Sequence, residues 1–288
     1  MSLLMFDLTP MRKDRVLLTT VTGEPVQPVR LYYTIPSKPF VTHKLSELRC
    51  TGEDRERGCW LWLYTAEAEP LAFGRPHAEL PTEVHPVIIG TIRFPKKGGM
   101  TLELRSFERA IAAAKFFGPI LGPRVVARRA RVVNRWFGAE ELAFGPEEPE
   151  RHLDQNVTTI DPRIAEERMD QYLSGAKTQE EKRRALERYY EDRRRDRRDV
   201  PLVEDFPLAP EEETPDFMHL TMTLRLRSIR AYEHWNGSTQ VTLQDIIYRL
   251  AEKGAFNPMG RVTCRRIGLR RSTGAVEHIL WNWTSIAP

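Results

Sequence analysis

Residues 87–137 decide the fold of this chain, and their sequence is VIIGTIRFPKKGGMTLELRSFERAIAAAKFFGPILGPRVVARRARVVNRWF. The first eight residues are mostly apolar and β-branched, which favours a strand. A Pro-Lys-Lys-Gly-Gly segment follows and favours a turn, because glycine accepts positive φ without steric cost. Met100, Leu102 and Leu104 then alternate with polar residues, and this period of two indicates a second strand with one buried face.

The hydrophobic period changes after Ser106, where we expect a helix to begin. Ser106 suits the N-cap position, and Glu108 lies in the first turn, where the helix dipole favours an anion. One apolar helical stripe is formed by Phe107, Ala110, Ile111, Ala114 and Phe117. The helix should end at Gly118-Pro119, and a third strand should follow over about residues 124–137.

This third strand carries a row of arginines. Val132 and Trp136 fall on one face of it, and the other face is formed by Arg129, Arg131 and Arg135. Such a row is either an anion-binding surface or the ordinary solubilising charge of an exposed strand. The sequence leaves both interpretations open.

Composition permits a nucleic-acid partner without requiring one. The 288 residues suffice for one large or two ordinary domains with a sizeable core. The formal net charge is +4 and the pI is about 9.0. Most of the positive charge is arginine, whose planar fork matches phosphate geometry better than lysine does.

Motif searches predict neither a metal nor a cofactor. The cysteines Cys50, Cys59 and Cys264 are odd in number and irregularly spaced, so a reducing cytoplasm is the expected compartment. No Cys-x-x-Cys or His-x-x-x-His pair, P-loop, dinucleotide fingerprint or G-x-S-x-G elbow is present. No apolar run reaches the roughly 18 residues of a membrane helix, so no membrane partner is expected.

The N-terminal region, residues 1–86, is expected to be rich in β-structure, with strands over 15–21 and 29–35. A further apolar run contains Trp60, Trp62 and Tyr64 on one face. These aromatic rings could stack on bases, but such a run is more often a strand buried on both faces.

Residues 146–216 are expected to form a connector, a charged helical arm and an acidic, proline-rich linker. One helix should begin at Asp161-Pro162, and a second should span 178–199 after a capping box of Thr178 and Glu181. The second helix is too polar for a core, so it should project, dock by a narrow seam or become ordered with a partner. Its candidate partner-binding residues are Leu186, Tyr189, Tyr190 and Arg194.

The last region, residues 217–288, is predicted to fold as strand, helix, strand, strand. Alternation at 220–226 predicts the first strand, with Arg225 and Arg227 on its polar face. A capping box of Thr242 and Asp245 predicts the helix, and a hairpin over about 261–283 should follow. The hairpin carries Arg265, Arg266, Arg270 and Arg271.

The sequence therefore predicts an α+β protein with two small α/β-sandwich blocks, for which a ferredoxin-like arrangement is one option. The first block, residues 87–145, has the order β-β-α-β, and the second, residues 217–288, has the order β-α-β-β. The two blocks either belong to one sheet system or form two ferredoxin-like units, with the charged arm inserted between them. We find no obvious sequence repeat that would relate the two blocks.

The leading functional hypothesis is a non-enzymatic, nucleic-acid-associated subunit of a larger assembly, with RNA or a single strand favoured over duplex. Arginine-rich sheet faces would contact phosphates, with a strong salt dependence. The candidate residues are Arg129, Arg131, Arg135, Arg225, Arg227, Arg265, Arg266, Arg270 and Arg271.

Two other hypotheses stay open. In the first, the charged helix 178–199 makes the chain a protein-interaction or scaffold module, and the sheet arginines only solubilise it. In the second, the chain is a metal-independent ribonuclease, which needs only a histidine, a base and basic residues around a phosphate. Small ferredoxin-like ribonucleases of the CRISPR repeat-processing type share its rough size, charge and α+β order. Its seven histidines are scattered, and no glycine-rich loop lies near the C-terminus.

Overall fold

A computed structural model describes residues 15–65, 67, 71, 73–142, 149–195, 199–208 and 217–252. These residues form eight strands in one sheet and six α-helices. The strands are β1 (Val29–Thr34), β2 (Thr51–Asp54), β3 (Cys59–Tyr64), β4 (Val87–Arg93), β5 (Met100–Leu104), β6 (Val126–Val133), β7 (Val157–Thr159) and β8 (Val203–Pro207). The helices are α1 (Lys38–Ser46), α2 (Phe107–Leu121), α3 (Pro162–Leu173), α4 (Gln179–Arg195), α5 (Phe217–Trp235) and α6 (Leu243–Glu252).

The strand order across the sheet is β2-β3-β4-β5-β1-β6-β8-β7. All neighbouring strands are antiparallel except β7 and β8, which are parallel. The expected mixture of helices and a largely antiparallel sheet is therefore confirmed. Within the described part of the chain, no helix combines the length and apolar character needed to cross a membrane.

The hydrophobic core lies between one face of the sheet and a helical layer that includes α1, α2 and α5. Trp62 is fully buried there, and its ring centroid lies 4.9 Å from that of Phe117 and 5.6 Å from that of Phe116, both on α2. Tyr64 is also buried. The run from Cys59 to Tyr64 is thus a core strand, and Trp62 and Tyr64 are not available to stack on bases.

The central block folds as the sequence predicts, as strand, turn, strand, helix, strand. The Ser106 hydroxyl caps α2 by accepting a hydrogen bond from the Arg109 backbone N–H, at 3.1 Å. The predicted end of the helix at Gly118-Pro119 is wrong, because α2 continues through Pro119 to Leu121. It ends at Gly122, whose φ of +76° glycine adopts without strain.

The strand predicted over 220–226 is also wrong, because these residues belong to helix α5. Its alternating leucines include Leu220 and Leu224, whose spacing of four equally suits one face of a helix. Both are buried in the core, where α5 packs on α2. Tertiary packing therefore decides between two periods that this short pattern satisfies equally.

The acidic linker prediction fails at residues 203–207, which form β8 inside the sheet. Glu204 and Asp205 are each 1% exposed. Arginines neutralise both, since Glu204 pairs with Arg227, and Asp205 with Arg131 at 2.8 Å. Strands from the N-terminal region, the central block and this segment share one sheet. The two-block arrangement stays a prediction.

The charged arm forms two helices, as expected. The Thr178 hydroxyl accepts from the Glu181 N–H at 3.2 Å, and the Glu181 carboxylate accepts from the Thr178 N–H at 2.9 Å. The predicted seam packs α4 on α3, with the Tyr189 ring 5.5 Å from the Tyr172 ring. The sequence predicts that this polar helix projects, docks by its seam or becomes ordered with a partner. The structure shows that it docks by its seam on α3 of the same chain.

The strand expected over 15–21 does not form. Leu17 and Thr19 make only isolated bridges, to Gly138 and Pro25 respectively. The C-terminal hairpin predicted over about 261–283 lies outside the described residues.

Candidate functional site

The sheet face opposite the helical layer carries a row of charged residues, and we call it the open face. Near the ends of β6 and β8 it is covered by a second hydrophobic cluster: Val26, Val133, Phe137, Leu153 and Val203. One row of directly opposed residues crosses it from strand to strand: Leu61, Thr91, Glu103, Arg30, Arg131 and Asp205. Their side chains share a face because cross-strand partners point the same way. The row therefore joins the apolar end of the open face to two neighbouring guanidinium groups that have a carboxylate on either side.

Arg30 and Arg131 are neighbours in this row, which places two like charges directly opposite each other. Asp154 lies over both and resolves the repulsion. Its carboxylate accepts from Arg30 Nη1 and Nη2 at 2.7 and 3.0 Å, and from Arg131 Nη1 at 2.8 Å. These hydrogen bonds, chiefly that of Arg30, hold the pKa of Asp154 below its ordinary value. The preceding residue, Leu153, is fully buried, so the carboxylate is held firmly in place.

A second pair on the open face combines charge with an aromatic ring. The Arg129 guanidinium carbon lies 4.2 Å from the Tyr32 ring centroid, within cation–π range. Arg129 Nε also lies 3.0 Å from the Asp205 carboxylate. The Arg129 side chain is 44% exposed, so it can still reach an anion in solvent.

At the other end of the row, a cavity of about 400 Å³ opens above strands β3, β4 and β5. We call it the sheet groove. The charged residues in its lining are Arg57, Arg93, Glu103, Arg105 and Arg109. Three of these arginines have a carboxylate within ion-pair distance: Asp54 for Arg57, Glu103 for Arg93 and Glu24 for Arg109. The apolar part of the lining includes Leu18, Val21, Leu61, Val84 and Ile88. An apolar lining with the exposed cations Arg57 and Arg93 suits an anionic ligand that also has an apolar body.

A buried polar cluster supports one wall of the sheet groove. The Glu24 carboxylate accepts from the Thr22 hydroxyl at 2.6 Å, and also from the Thr20 hydroxyl. Arg109 Nη2 donates to the Thr22 hydroxyl at 2.8 Å, and its Nε lies 3.7 Å from Glu24. Thr20 and Arg109 line the groove, whereas Glu24 lies behind them. The cluster thus fixes the segment 18–24 against the start of α2 and shapes this wall.

The structure brings together only part of the predicted arginine set. Arg129 and Arg131 share the open face, but Arg135 lies beyond the end of β6 and pairs with Glu141 at 2.6 Å. Arg225 and Arg227 belong to α5, and Arg227 pairs with buried Glu204 in the layer behind the sheet. The last four predicted arginines, Arg265, Arg266, Arg270 and Arg271, lie outside the described residues.

The candidate partner-binding residues on α4 are mostly engaged within the chain. Tyr189 is buried, and its hydroxyl donates to the Ala165 carbonyl at 3.4 Å. The Tyr190 carbonyl accepts from the Tyr248 hydroxyl at 2.9 Å. Leu186 is half-buried, and the side chain of Arg194 lies outside the described part of the structure.

Sequence reasoning missed several residues of the open face, namely Arg30, Tyr32, Arg57, Arg93 and Asp154. A signal was present for the first two, which alternate with buried Val29, Leu31 and Tyr33 in β1. Arg93 likewise follows buried Ile92. Nothing local marks Asp154, because only tertiary packing carries it over the sheet.

The sheet groove is lined by arginines, one carboxylate, and apolar and small polar residues. No histidine is among the described residues that line the sheet groove. Over the same described ranges, no group of three His, Cys, Asp or Glu side chains is arranged to hold a metal ion. Comparisons of the chain with protein-family models, curated proteins and solved structures found no match.

Proposed function

We propose that this protein binds single-stranded nucleic acid, RNA or DNA, on the open face of its sheet, without catalysing a reaction, as a subunit of a larger assembly. The observation that supports this proposal is the sheet groove, which combines an apolar lining with the exposed arginines Arg57 and Arg93. Beyond the groove, the row of opposed residues runs from Glu103 through Arg30 to Arg131, so a phosphate chain that leaves the groove would next meet these two arginines.

The shape of the groove favours a single strand over a duplex. A cavity of about 400 Å³ with an apolar lining can accept one or two unstacked bases while Arg57 and Arg93 contact phosphates. A duplex keeps its bases stacked inside, so it would offer only its backbone to this face. Tyr32, held beneath Arg129, supplies an aromatic surface farther along the same face.

The test is fluorescence anisotropy with a labelled single-stranded RNA and a matched duplex DNA, titrated across salt concentration. The informative variant is Arg57→Gln with Arg93→Gln, whose side chains are 68% and 45% exposed. If each arginine contacts one phosphate, the slope of log affinity against log salt should fall by about 1.4 for a single strand. Single-stranded RNA should bind more tightly than the duplex.

The matched control is Arg183→Gln with Arg184→Gln on α4, which removes the same charge from side chains that are 70% and 69% exposed. It should leave the slope unchanged. Loss of slope in the control but not in the groove variant would assign binding to the arm and contradict the proposal. Cleavage of the RNA during the titration would favour the ribonuclease hypothesis instead.

The protein-interaction hypothesis needs point variants as its test. Removing residues 175–215 would separate the two hypotheses only if the arm were an independent insertion. That segment includes β8, which lies between β6 and β7 in the sheet. A deletion would therefore damage the open face together with the arm. Residues 220–226 belong to helix α5 instead of forming the first strand of the second α+β block. The hairpin over 261–283 and the ferredoxin-like arrangement remain predictions.

A further inference from the structure

A second cavity, of about 320 Å³, lies at the far edge of the sheet, where β7 leads into α3. We call it the edge cavity. Its lining comes from the end of β7, from α3 and α4, and from Gln244 of α6. The lining side chains used here are Ile160, Ile164, Arg168 and Arg193. This cavity is separate from the sheet groove, with which it shares no lining residue.

The floor of the edge cavity is apolar and uncovered. Ile164 is 57% exposed and Ile160 is 37% exposed, which is unusual for large aliphatic side chains that lie next to each other. The surrounding helices are fixed, because the Tyr172 hydroxyl donates to the Asp192 carboxylate at 2.6 Å across α3 and α4. The cavity is thus preformed, as small binding sites usually are.

Two arginines that line the edge cavity, Arg168 and Arg193, have no carboxylate partner in the part of the chain that the structure describes. Arg163, Arg183, Arg184 and Arg195 of the two helices each have a carboxylate within ion-pair distance. Among the described residues, no carboxylate pairs with Arg168 or Arg193 in this way, although Arg193 donates to the Tyr189 hydroxyl at 3.3 Å. The lining carboxylate, Asp161, is already engaged by Arg163 at 3.0 Å. Two guanidinium groups therefore face solvent beside an apolar floor.

We propose that the edge cavity binds an acidic peptide segment of a partner protein, with an apolar side chain on Ile160 and Ile164 and a carboxylate on Arg168 and Arg193. Charge complementarity selects this occupant, since arginine forks bind carboxylates through two parallel hydrogen bonds. An extended segment suits the place, because β7 is an edge strand and its last residue, Thr159, lines the cavity.

A nucleic acid fits the edge cavity less well. The free edge of β7 offers backbone N–H and C=O groups, with which an extended peptide can pair as an added strand. A nucleic acid has no peptide backbone that could extend the sheet in this way. The strand edge thus favours a peptide over a single strand.

The test is fluorescence anisotropy of the full chain with a labelled ten-residue peptide of alternating Glu and Leu, alongside a matched peptide of alternating Lys and Leu. The acidic peptide should bind and the basic one should not. Arg168→Gln with Arg193→Gln should weaken binding at least tenfold, and Ile164→Asp should do so separately. Arg183→Gln with Arg184→Gln, the same charge change on the outward side of α4, should leave binding within twofold.

Circular dichroism of each variant establishes that it is folded. Three outcomes overturn the proposal: no binding of the acidic peptide at low salt, equal binding of the basic peptide, or unchanged affinity in the Arg168 and Arg193 variant. Competition with unlabelled single-stranded RNA separates this site from the sheet groove. A further outcome would show a phosphate site and overturn the peptide proposal. In it, RNA displaces the peptide, and the Arg168→Gln with Arg193→Gln variant loses affinity for RNA and for the peptide to the same extent.

Discussion

Arg30 and Arg131 lie directly opposite each other on neighbouring strands, and Asp154 bridges their guanidinium groups. The bridge makes the centre of the open face a closed ion-pair network, with Glu103 on one side and Asp205 on the other. Arg30 and Arg131 are only 16% and 18% exposed, whereas Asp154 is 56% exposed. The carboxylate thus stands between solvent and two of the cations that the proposed nucleic-acid site would use.

Replacing Asp154 by Asn should strengthen nucleic-acid binding. The change removes the anion that neutralises Arg30 and Arg131, so both become available to phosphate. We expect a severalfold higher affinity for single-stranded RNA and a salt slope steeper by up to about 1.4, measured by anisotropy. Asp170→Asn, an equal charge change at an exposed position of α3, should have little effect. Unchanged or weaker binding by Asp154→Asn would place the phosphate path elsewhere.

The same substitution should lower stability in a pH-dependent way. The pKa of Asp154 is lower in the folded state than its ordinary value, chiefly through the Arg30 hydrogen bond. Its contribution is therefore complete above about pH 4 and is lost as the pH falls through the lowered value. The melting temperature of Asp154→Asn should lie below that of the original protein at pH 7, and the gap should narrow in acid. A gap that stays constant from pH 7 to pH 3 would contradict this assignment.

Gly90 makes room for the Trp62 indole in the core. A Cβ atom there would lie 3.0 Å from the side-chain tips of Leu102 and Leu104, and 3.2 Å from the Trp62 ring. All three neighbours are buried, so Gly90→Ala should destabilise the protein by about 1–3 kcal/mol in denaturant titration. Gly118→Ala in α2, where a Cβ meets nothing within 4 Å, should instead stabilise by about 0.5–1 kcal/mol. Equal effects at the two glycines would be incompatible with this packing.

The sequence predicts a local element well where its residues fit only one hydrophobic period or capping pattern. The Ser106 cap and the Thr178 and Thr242 capping boxes depend on contacts within a few residues. The failures have a different physical origin. The sequence of residues 203–207 is typical of an acidic linker. In the structure these residues form a strand, because the distant arginines Arg131 and Arg227 neutralise Asp205 and Glu204 inside the sheet.

The candidate site shows the same limit. The shared face of Arg129 and Arg131 follows from the period of β6, and the alternation in β1 was sufficient to find Arg30 and Tyr32. The sheet groove was not predictable in this way, because it forms where β3, β4 and β5 meet the segment 18–21. Its position depends on strand order, which no local pattern specifies.

The buried pair of Arg109 and Glu24 should be critical for stability. Their side chains are each 3% exposed, and Arg109 connects α2 to the segment that forms one groove wall. Arg109→Ala would leave the Glu24 carboxylate buried beside neutral partners, which typically costs about 3–5 kcal/mol. Arg163→Ala, which breaks an exposed pair with Asp161, should cost at most about 1 kcal/mol. Denaturant titrations that gave equal losses for both would mean that the buried pair does not form.

The Cys50 thiol should be unreactive while the protein is folded. Its side chain is fully buried, and burial raises the pKa of Cys50 to about 12, so very little thiolate exists at neutral pH. Its backbone N–H donates to the Glu67 carboxylate at 2.8 Å, which holds the residue beside an anion and further disfavours ionisation. Treatment with iodoacetamide at pH 8 should leave Cys50 unmodified in the native protein and modify it fully in guanidinium chloride, as followed by peptide mass spectrometry. Labelling of native Cys50 at the rate of the unfolded chain would mean that the loop between α1 and β2 opens readily, and that this end of the core is less stable than its packing indicates.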